Sequence, residues 1–189
     1  LYAASTYYRT SVQSPPAPGK KIPQELLRTD SPAVGPVDAK VTVVEFYDPE
    51  CEACAAFHPV VKALQKEFEG QVRFVSRYAT FHKNARTAAI YTEAAGEQGK
   101  YWEMQAKLFE KQDEWGEKHG HGAQPVSPTA VTAMFDKYAA ELGLNVDQLK
   151  ASINDPKHAA RIDRDMRDVD FLRVMRTPTF FVNGRQLAR

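Results

Sequence analysis

The sequence has very few cysteines: its 189 residues contain two, Cys51 and Cys54, and both belong to one Cys-x-x-Cys motif. No further thiol is available for a structural disulfide or a four-cysteine metal site. This scarcity does not exclude an oxidising compartment, because a chain of this length folds without disulfides. Any intramolecular disulfide must therefore close the small ring between Cys51 and Cys54.

The sequence also lacks an excess of charge of either sign, and it lacks long hydrophobic runs. Its formal net charge is +1, which favours neither a nucleic-acid groove nor a surface for acidic substrates. No segment reaches the ~18 consecutive apolar residues of a membrane span. The first nine residues, LYAASTYYR, are typical of the tail of an apolar segment. We therefore expect a signal or membrane anchor before Leu1.

Proline-rich and β-branched segments divide the first half of the chain. Six prolines between residues 11 and 40 predict that residues 1–40 form an extended lead-in or linker. Val41–Tyr47 is apolar on both faces, as expected for a central strand. Helical spacing of apolar residues follows from Cys51 to Phe68, and a second strand is predicted over Gln71–Tyr78. Together they predict a right-handed parallel crossover.

The second half of the chain is mainly helical in its pattern. Residues 84–173 show helical segments separated by glycine and proline, and we interpret them as an inserted helical domain. A strand is then predicted over Thr179–Val182, with a hairpin turn at Asn183-Gly184. The predicted main domain thus combines residues 41–83 and 174–189.

The Cys-x-x-Cys motif is typical of redox, zinc and haem sites, and its surroundings distinguish them. Haem attachment needs a histidine at position 55, which is Ala55. A zinc site needs two more ligands, but no second Cys-x-x-Cys or His-x-x-x-His motif occurs. Cys51 is predicted at a helix N-terminus, where backbone N–H groups stabilise a thiolate. We therefore expect Cys51 to be the nucleophile and Cys54, one turn later, to be the buried resolving thiol.

The residues around this motif resemble a DsbA-type thioredoxin domain from Val41 to Leu187. The resemblance rests on EFYDPECEAC at residues 45–54, FHP at 57–59 and TPTFFVNG at 177–184. It implies an α/β thioredoxin fold with a helical insertion, and a thiol-disulfide oxidoreductase without a cofactor. It also implies a cis peptide bond at Thr177-Pro178, with the Thr177 backbone pairing to substrate peptide. Because such domains continue into an edge strand and a closing helix, we expect C-terminal elements to be missing, leaving an exposed strand edge near Gln186.

Three further residues are assigned roles around the cysteines. Glu45 matches the acidic residue that the superfamily buries beneath the disulfide, and desolvation there should raise its pKa and make it a base for Cys54. Glu52, between the cysteines, places a negative charge where the helix dipole favours a thiolate, and predicts a less oxidising couple. His58 either interacts with the pair or lies on the helix surface.

Other charged residues are expected to be solvated. His82, His119 and His121 fall in predicted loops, and a surface position is at least as compatible with Arg77 as a role near Glu45.

The resulting hypothesis is an extracytoplasmic, periplasmic enzyme that exchanges its Cys51–Cys54 disulfide with cysteines of other proteins. The resemblance implies reoxidation by a membrane partner of the DsbB kind. Glu52 and Thr177 leave open an isomerase or reductase role with the same residues. A different hypothesis is a peptide-binding chaperone without redox activity, which would keep its function when both cysteines become Ser.

Overall fold

The computed structural model describes residues 22–117 and 126–188, which contain one five-stranded mixed sheet. The strands lie in the order β1-β3-β2-β4-β5. Their bounds are β1 (Ala33–Val34), β2 (Val41–Tyr47), β3 (Val72–Tyr78), β4 (Thr179–Val182) and β5 (Arg185–Gln186). The three strands predicted from the sequence are therefore present, and the first of them, β2, is central.

Seven helices accompany the sheet in the described part of the chain. They are α1 (Glu52–Glu67), α2 (Ala85–Gly96), α3 (Tyr101–Glu110), α4 (Gln112–Trp115), α5 (Pro128–Glu141), α6 (Val146–Ser152) and α7 (Pro156–Leu172). Helix α1 connects β2 to β3, and the other six lie between β3 and β4. Within residues 22–117 and 126–188, no helix combines the length and the apolar character needed to cross a membrane. The predicted α/β thioredoxin fold is confirmed.

The strand register determines which loops meet at the reactive end of the sheet. β2 and β3 are parallel, with Tyr47 opposite Tyr78, while β2 and β4 are antiparallel, with Phe46 opposite Thr179. The carboxyl ends of β2 and β3 therefore emerge beside the amino end of β4. The loop before α1, the loop after β3 and the Thr177–Pro178 segment consequently converge.

The predicted hairpin between β4 and β5 is present. Asn183 and Gly184 have φ angles of 47° and 83°, and positive φ at both central positions is the geometry of a two-residue hairpin turn that follows strand twist. β5 pairs with β4 at one end of the sheet order, and Gln186 is exposed there.

The folded body begins earlier than the predicted start at Val41. Leu26 is buried in the core beside the sheet, and β1 pairs with β3 through Ala33 and Val34. The prolines of this segment prevent a helix, but an extended backbone between them can still pair with a strand at the sheet edge. The lead-in prediction is therefore wrong for these residues, while residues 1–21 lie outside the described part.

Separate apolar clusters support the sheet and the helices. Val44, Phe46 and Phe181 pack against Val169 of α7 on one face of the sheet. The helices α2 to α6 surround a separate cluster that includes Trp115, which is fully buried. The division into a thioredoxin domain and an inserted helical domain stays a prediction.

Arg77 is buried, contrary to the surface position considered for it. Its guanidinium donates to Asp165 Oδ1 at 3.0 Å, to Asp168 Oδ2 at 2.5 Å and to the Leu26 carbonyl at 3.0 Å, and it lies 5.1 Å from the Phe46 ring centroid. The two carboxylates of α7 compensate the buried cation. Arg77 thus joins β3 to α7 rather than orienting Glu45.

Helix α1 continues through Pro59, and one side of it remains open to solvent. Phe57, Val60 and Leu64 are exposed to 48%, 52% and 38%. They line an apolar groove of about 920 Å³ between α1 and the sheet, together with Val43 and Phe180. The helical spacing of apolar residues therefore marks a groove as well as a core.

Candidate active site

The two cysteines lie at the N-terminus of α1 with different exposure. Cys51 is the N-cap residue of the helix, and Cys54 lies one turn further on. Both are free thiols in the structure, Cys51 half-buried and Cys54 buried. The predicted helix position of Cys51 is therefore present. Cys51 is therefore the more accessible of the two thiols.

Their environments shift the pKa values of the two thiols in opposite directions. A hydrogen bond from Cys54, outweighing the effect of burial, lowers the pKa of Cys51 to about 5, and the backbone N–H groups of Ala53 and Cys54 contribute in the same direction. Burial, together with the negative charge of Cys51, raises the pKa of Cys54 well above its ordinary value. In the reduced protein, Cys51 is thus a thiolate at neutral pH, and Cys54 keeps its proton.

The segment before β4 lies against the reactive thiol. The Thr177–Pro178 peptide bond is cis, as the resemblance implied. Cys51 Sγ lies 3.6 Å from the Thr177 carbonyl oxygen, and Thr177 itself is 7% exposed. The antiparallel pairing of β4 with β2 brings these residues together across 126 positions of sequence.

Asp48 connects the parts of the site, although no sequence pattern marks it as a functional residue. Its side chain is fully buried. Its backbone N–H lies 3.5 Å from Cys54 Sγ, its carbonyl accepts from the Cys51 N–H at 3.1 Å, and its Oδ1 accepts from the Glu50 N–H at 2.7 Å. Its Oδ2 accepts from the backbone N–H groups of Phe81 and His82 at 2.7 and 3.0 Å. A buried carboxylate with this many donors is held as an anion in a fixed position.

His82 belongs to the site, whereas its position in a predicted loop indicated a solvated side chain. Its Nδ1 lies 2.9 Å from Asp48 Oδ2. Its side chain is 35% exposed and lines a cavity of about 430 Å³ that Cys51 also lines. The register of β2 and β3 could have indicated this contact, because residues that follow neighbouring parallel strands meet at one edge of the sheet. His119 and His121 lie outside the described residues.

Glu50 also lines this cavity. It is 4% exposed, and its carboxylate accepts from the Asn84 side chain at 2.8 Å and from the Glu117 backbone N–H at 2.8 Å. It also accepts from the Asn84 backbone N–H. Glu50 therefore ties the loop before Cys51 to the beginning of α2 and the end of α4.

Glu45 faces the same side of the sheet as Tyr47, which packs against Cys54. Glu45 is partly buried as a residue, and within the described residues we find no hydrogen bond or ion pair to its carboxylate. Burial raises the pKa of Glu45 from 4.5 to about 7. The expected desolvated position is thus present, and the group can exchange a proton near neutral pH.

Glu52 and His58 differ in how closely they approach the pair. Glu52 is the first residue of α1, is exposed and lines the cavity beside Cys51. His58 is half-buried with its ring centroid 5.0 Å from that of Phe109, and burial lowers its pKa. His58 therefore packs against α3, and its influence on the cysteines stays a prediction.

Comparison with protein families assigns the chain directly. A family model described as thioredoxin matches residues 28–189. The chain belongs to the thioredoxin family. The match includes Cys51, Cys54 and the Thr177–Pro178 segment, so the elements that form the site lie within the family's shared region.

Two solved structures share this fold. BdbD from Bacillus subtilis in its oxidised form is 26% identical, with a TM-score of 0.69 and 84% of each chain covered. DsbA from Xylella fastidiosa is 24% identical, with a TM-score of 0.64, and the match covers 85% of this chain and 82% of that one. The resemblance to DsbA-type proteins is confirmed.

Curated relatives match by sequence over part of their length. The Na(+)/H(+) antiporter NhaA 3 of Salinispora tropica is 37% identical over 155 residues, which are 80% of this chain and 21% of that protein. NhaA of Herminiimonas arsenicoxydans is 34% identical over 153 residues, or 81% of this chain and 22% of that protein. The chain thus spans about a fifth of these relatives' length.

Proposed function

We propose that this chain is a thiol-disulfide oxidoreductase that exchanges the Cys51–Cys54 disulfide with cysteines of proteins outside the cytoplasm. The observation that carries the proposal is the split between the two thiols: Cys51 is accessible with a pKa of about 5, and Cys54 is buried with a raised pKa. This is the arrangement that an attacking or leaving thiolate and its resolving partner require. The shared fold with DsbA of Xylella fastidiosa, which is named as an oxidoreductase, supports it.

The exchange proceeds in two steps. A substrate thiolate attacks Cys51 Sγ of the oxidised enzyme, so that a substrate–Cys51 disulfide forms and the Cys51–Cys54 bond breaks, with Cys54 leaving and taking a proton. The second substrate thiolate then attacks the substrate sulfur of the mixed disulfide, which releases Cys51 as a thiolate. The substrate dithiol is oxidised by two electrons, and the enzyme disulfide is reduced by two.

Glu45 serves Cys54 as a base in the reverse direction. When Cys54 attacks the mixed disulfide, it must first lose its proton, and a carboxylate with a pKa near 7 can accept it directly or through water. The Thr177 backbone beside Cys51 is the proposed pairing site for an extended substrate peptide, and Pro178 shapes that segment.

The low pKa of Cys51 favours the dithiol oxidase direction. A thiol stabilised as thiolate makes the reduced enzyme more stable and the couple more oxidising. Because Glu52 is exposed, its opposing charge is screened by water. A membrane partner of the DsbB kind would then reoxidise the protein, and no cofactor is needed. An isomerase or reductase role uses the same residues with a reducing partner.

The test is equilibration of the purified protein with glutathione buffers, followed by alkylation of the remaining thiols. We expect a reversible Cys51–Cys54 couple, oxidation of a dithiol peptide by the disulfide form and trapping of that peptide on Cys51. A protein in which both cysteines are Ser is the control. If that variant keeps the biological function, the chaperone hypothesis is favoured instead.

A further inference from the structure

The histidine beside the reactive thiol is oriented by a buried anion. Asp48 Oδ2 lies 2.9 Å from His82 Nδ1 and also accepts from the His82 backbone N–H at 3.0 Å. An ionised carboxylate only accepts hydrogen bonds, so Nδ1 must carry hydrogen in both protonation states of the ring. The proton that His82 gains or loses is therefore the one on Nε2.

The cavity that His82 shares with Cys51 is otherwise acidic. Among the described residues that line it, His82 is the only side chain able to carry a positive charge. Four carboxylates line this cavity, one each from the loop before α1, from α1, from α4 and from the residues after α4: Glu50, Glu52, Asp113 and Glu117. Asp48 adds a fifth carboxylate, which contacts the His82 ring.

These charges favour the imidazolium form. Burial lowers the pKa of His82, but the hydrogen bond to Asp48 and the negative charges of Asp48, Cys51 and Glu50 together raise it above its ordinary value. The Cys51 contribution exists only when Cys51 is a thiolate, and the thiolate exists only in the reduced protein. The protonation of His82 is thus coupled to the redox state of the cysteines.

We propose that His82, held by Asp48, takes up one of the two protons that accompany reduction of the Cys51–Cys54 disulfide. The substrate dithiol gives up two electrons and two protons. Both electrons enter the enzyme disulfide, one proton goes to Cys54, and the other goes to His82 Nε2. The product is a Cys51 thiolate beside a His82 imidazolium. This rests on the proposed function, and His82 acts through Cys51 as a positioning residue.

The role is tested by the pH dependence of the glutathione equilibrium. Two glutathione thiols release two protons when they reduce the enzyme. If the enzyme takes up both, the equilibrium constant is independent of pH; if it takes up one, the constant rises about tenfold per pH unit, because one proton is released. We expect a rise of well under tenfold per pH unit around pH 7 for the wild-type protein and a steeper rise, approaching tenfold per unit, for His82→Asn.

The substitutions are chosen to separate charge from structure. Asn retains a donor for Asp48 but cannot be protonated, so a purely structural role of His82 would leave the slope unchanged. Lys83→Gln is the matched control. Lys83 is exposed and does not line the cavity, so this substitution removes one positive charge next to His82 in sequence but outside the cavity. Glu45 titrates in the same range in all three proteins, so the difference between profiles isolates His82.

The outcomes separate this inference from the proposed function. If the wild-type protein forms no reversible couple with glutathione, the proposed function fails. If the couple exists but the wild-type, His82→Asn and Lys83→Gln proteins share one slope, the role of His82 is refuted. Should His82→Asn not fold, NMR titration of the His82 ring decides: a higher midpoint in the reduced than in the oxidised wild-type protein supports the role, and equal midpoints overturn it.

Discussion

Replacement of Glu45 by Gln should stabilise the protein while slowing its chemistry. Glu45 lies on β2 facing the side of Tyr47 and Cys54, and burial raises its pKa from 4.5 to about 7. In the unfolded chain the carboxyl ionises near its ordinary value. The folded state thus binds a proton that the unfolded state has lost between about pH 4.5 and about pH 7.

The sign and size of the effect follow from this difference. Because the folded state holds more protons in that interval, the contribution of Glu45 to the free energy of unfolding falls as pH rises from about 4.5 to about 7. Above about pH 7 Glu45 lowers the free energy of unfolding by a constant amount. The full shift corresponds to about 3 kcal/mol. Because the residue is only partly buried, solvent screening reduces this figure, and we expect a penalty of about 1 to 3 kcal/mol. Gln carries no charge, so the Glu45→Gln substitution removes this penalty.

The assay is urea unfolding of the reduced protein at several pH values between about pH 4 and about pH 8. The Glu45→Gln variant should match the wild type at the acid end and exceed it in stability at the alkaline end. Glu67→Gln, at an exposed position near the end of α1, is the control and should show no such divergence. A Glu45→Gln variant no more stable than wild type near pH 8 would refute the raised pKa.

The kinetic half of the prediction uses the same variant. Release of a peptide from its mixed disulfide with Cys51 should accelerate with rising pH as Glu45 ionises, with a midpoint near 7. In Glu45→Gln that release should be slower by about tenfold or more and should lose the midpoint. Identical release profiles for both proteins, measured by quenched-flow, would exclude Glu45 as the base even if the stability result held.

Four further outcomes are expected. Alkylation of Cys51 in the reduced protein should rise through about pH 5 and be constant at neutral pH, while Cys54 stays unmodified; a midpoint near 8 would contradict the thiolate assignment. Cys54→Ser should trap substrates as mixed disulfides and Cys51→Ser should not, as seen on non-reducing gels, and equal trapping would remove the assigned roles. Glu52→Gln should make the couple more oxidising by at most about 15 mV against glutathione, because Glu52 is exposed; a more reducing variant would oppose the charge argument. Arg77→Met should lower the free energy of unfolding by about 3 to 5 kcal/mol, because Asp165 and Asp168 lose a buried cation, and a loss below about 1 kcal/mol would show that α7 relaxes around them.

Local patterns predicted the elements that carry the cysteines. β2 and β4 were recognised because β-branched and aromatic runs between turn residues have few alternatives. The hairpin at Asn183 and Gly184 followed from the need for positive φ at both positions. Because Cys51 precedes the helix and Cys54 lies one turn into it, the sequence also predicted that Cys51 is the more exposed thiol. All these inferences depend on residues close in sequence.

Contacts between distant residues were the ones that sequence patterns missed. Arg77 appeared as an isolated charge in a strand, because its two carboxylate partners lie about 90 residues later on α7. Leu26 belongs to a leucine pair between two prolines that shows no helical or strand periodicity, because its contacts are with the sheet. In each case the residue type permitted both a surface and a buried position, and only the packing of α7 and β1 selected between them.

Asp48 and Glu45 show why burial alone does not determine the behaviour of a carboxyl group. Asp48 is the more deeply buried of the two, yet its carboxylate receives backbone N–H bonds from Glu50, Phe81 and His82. Those donors replace water, so Asp48 can remain an anion that fixes the loops and the His82 ring. Glu45 is less buried, but no described donor compensates its lost hydration, and its pKa rises. Glu45 and Asp48 lie three residues apart at the end of one strand. The first carboxyl is suited to proton exchange with Cys54, and the second is suited to hold the surrounding loops and the His82 ring in place.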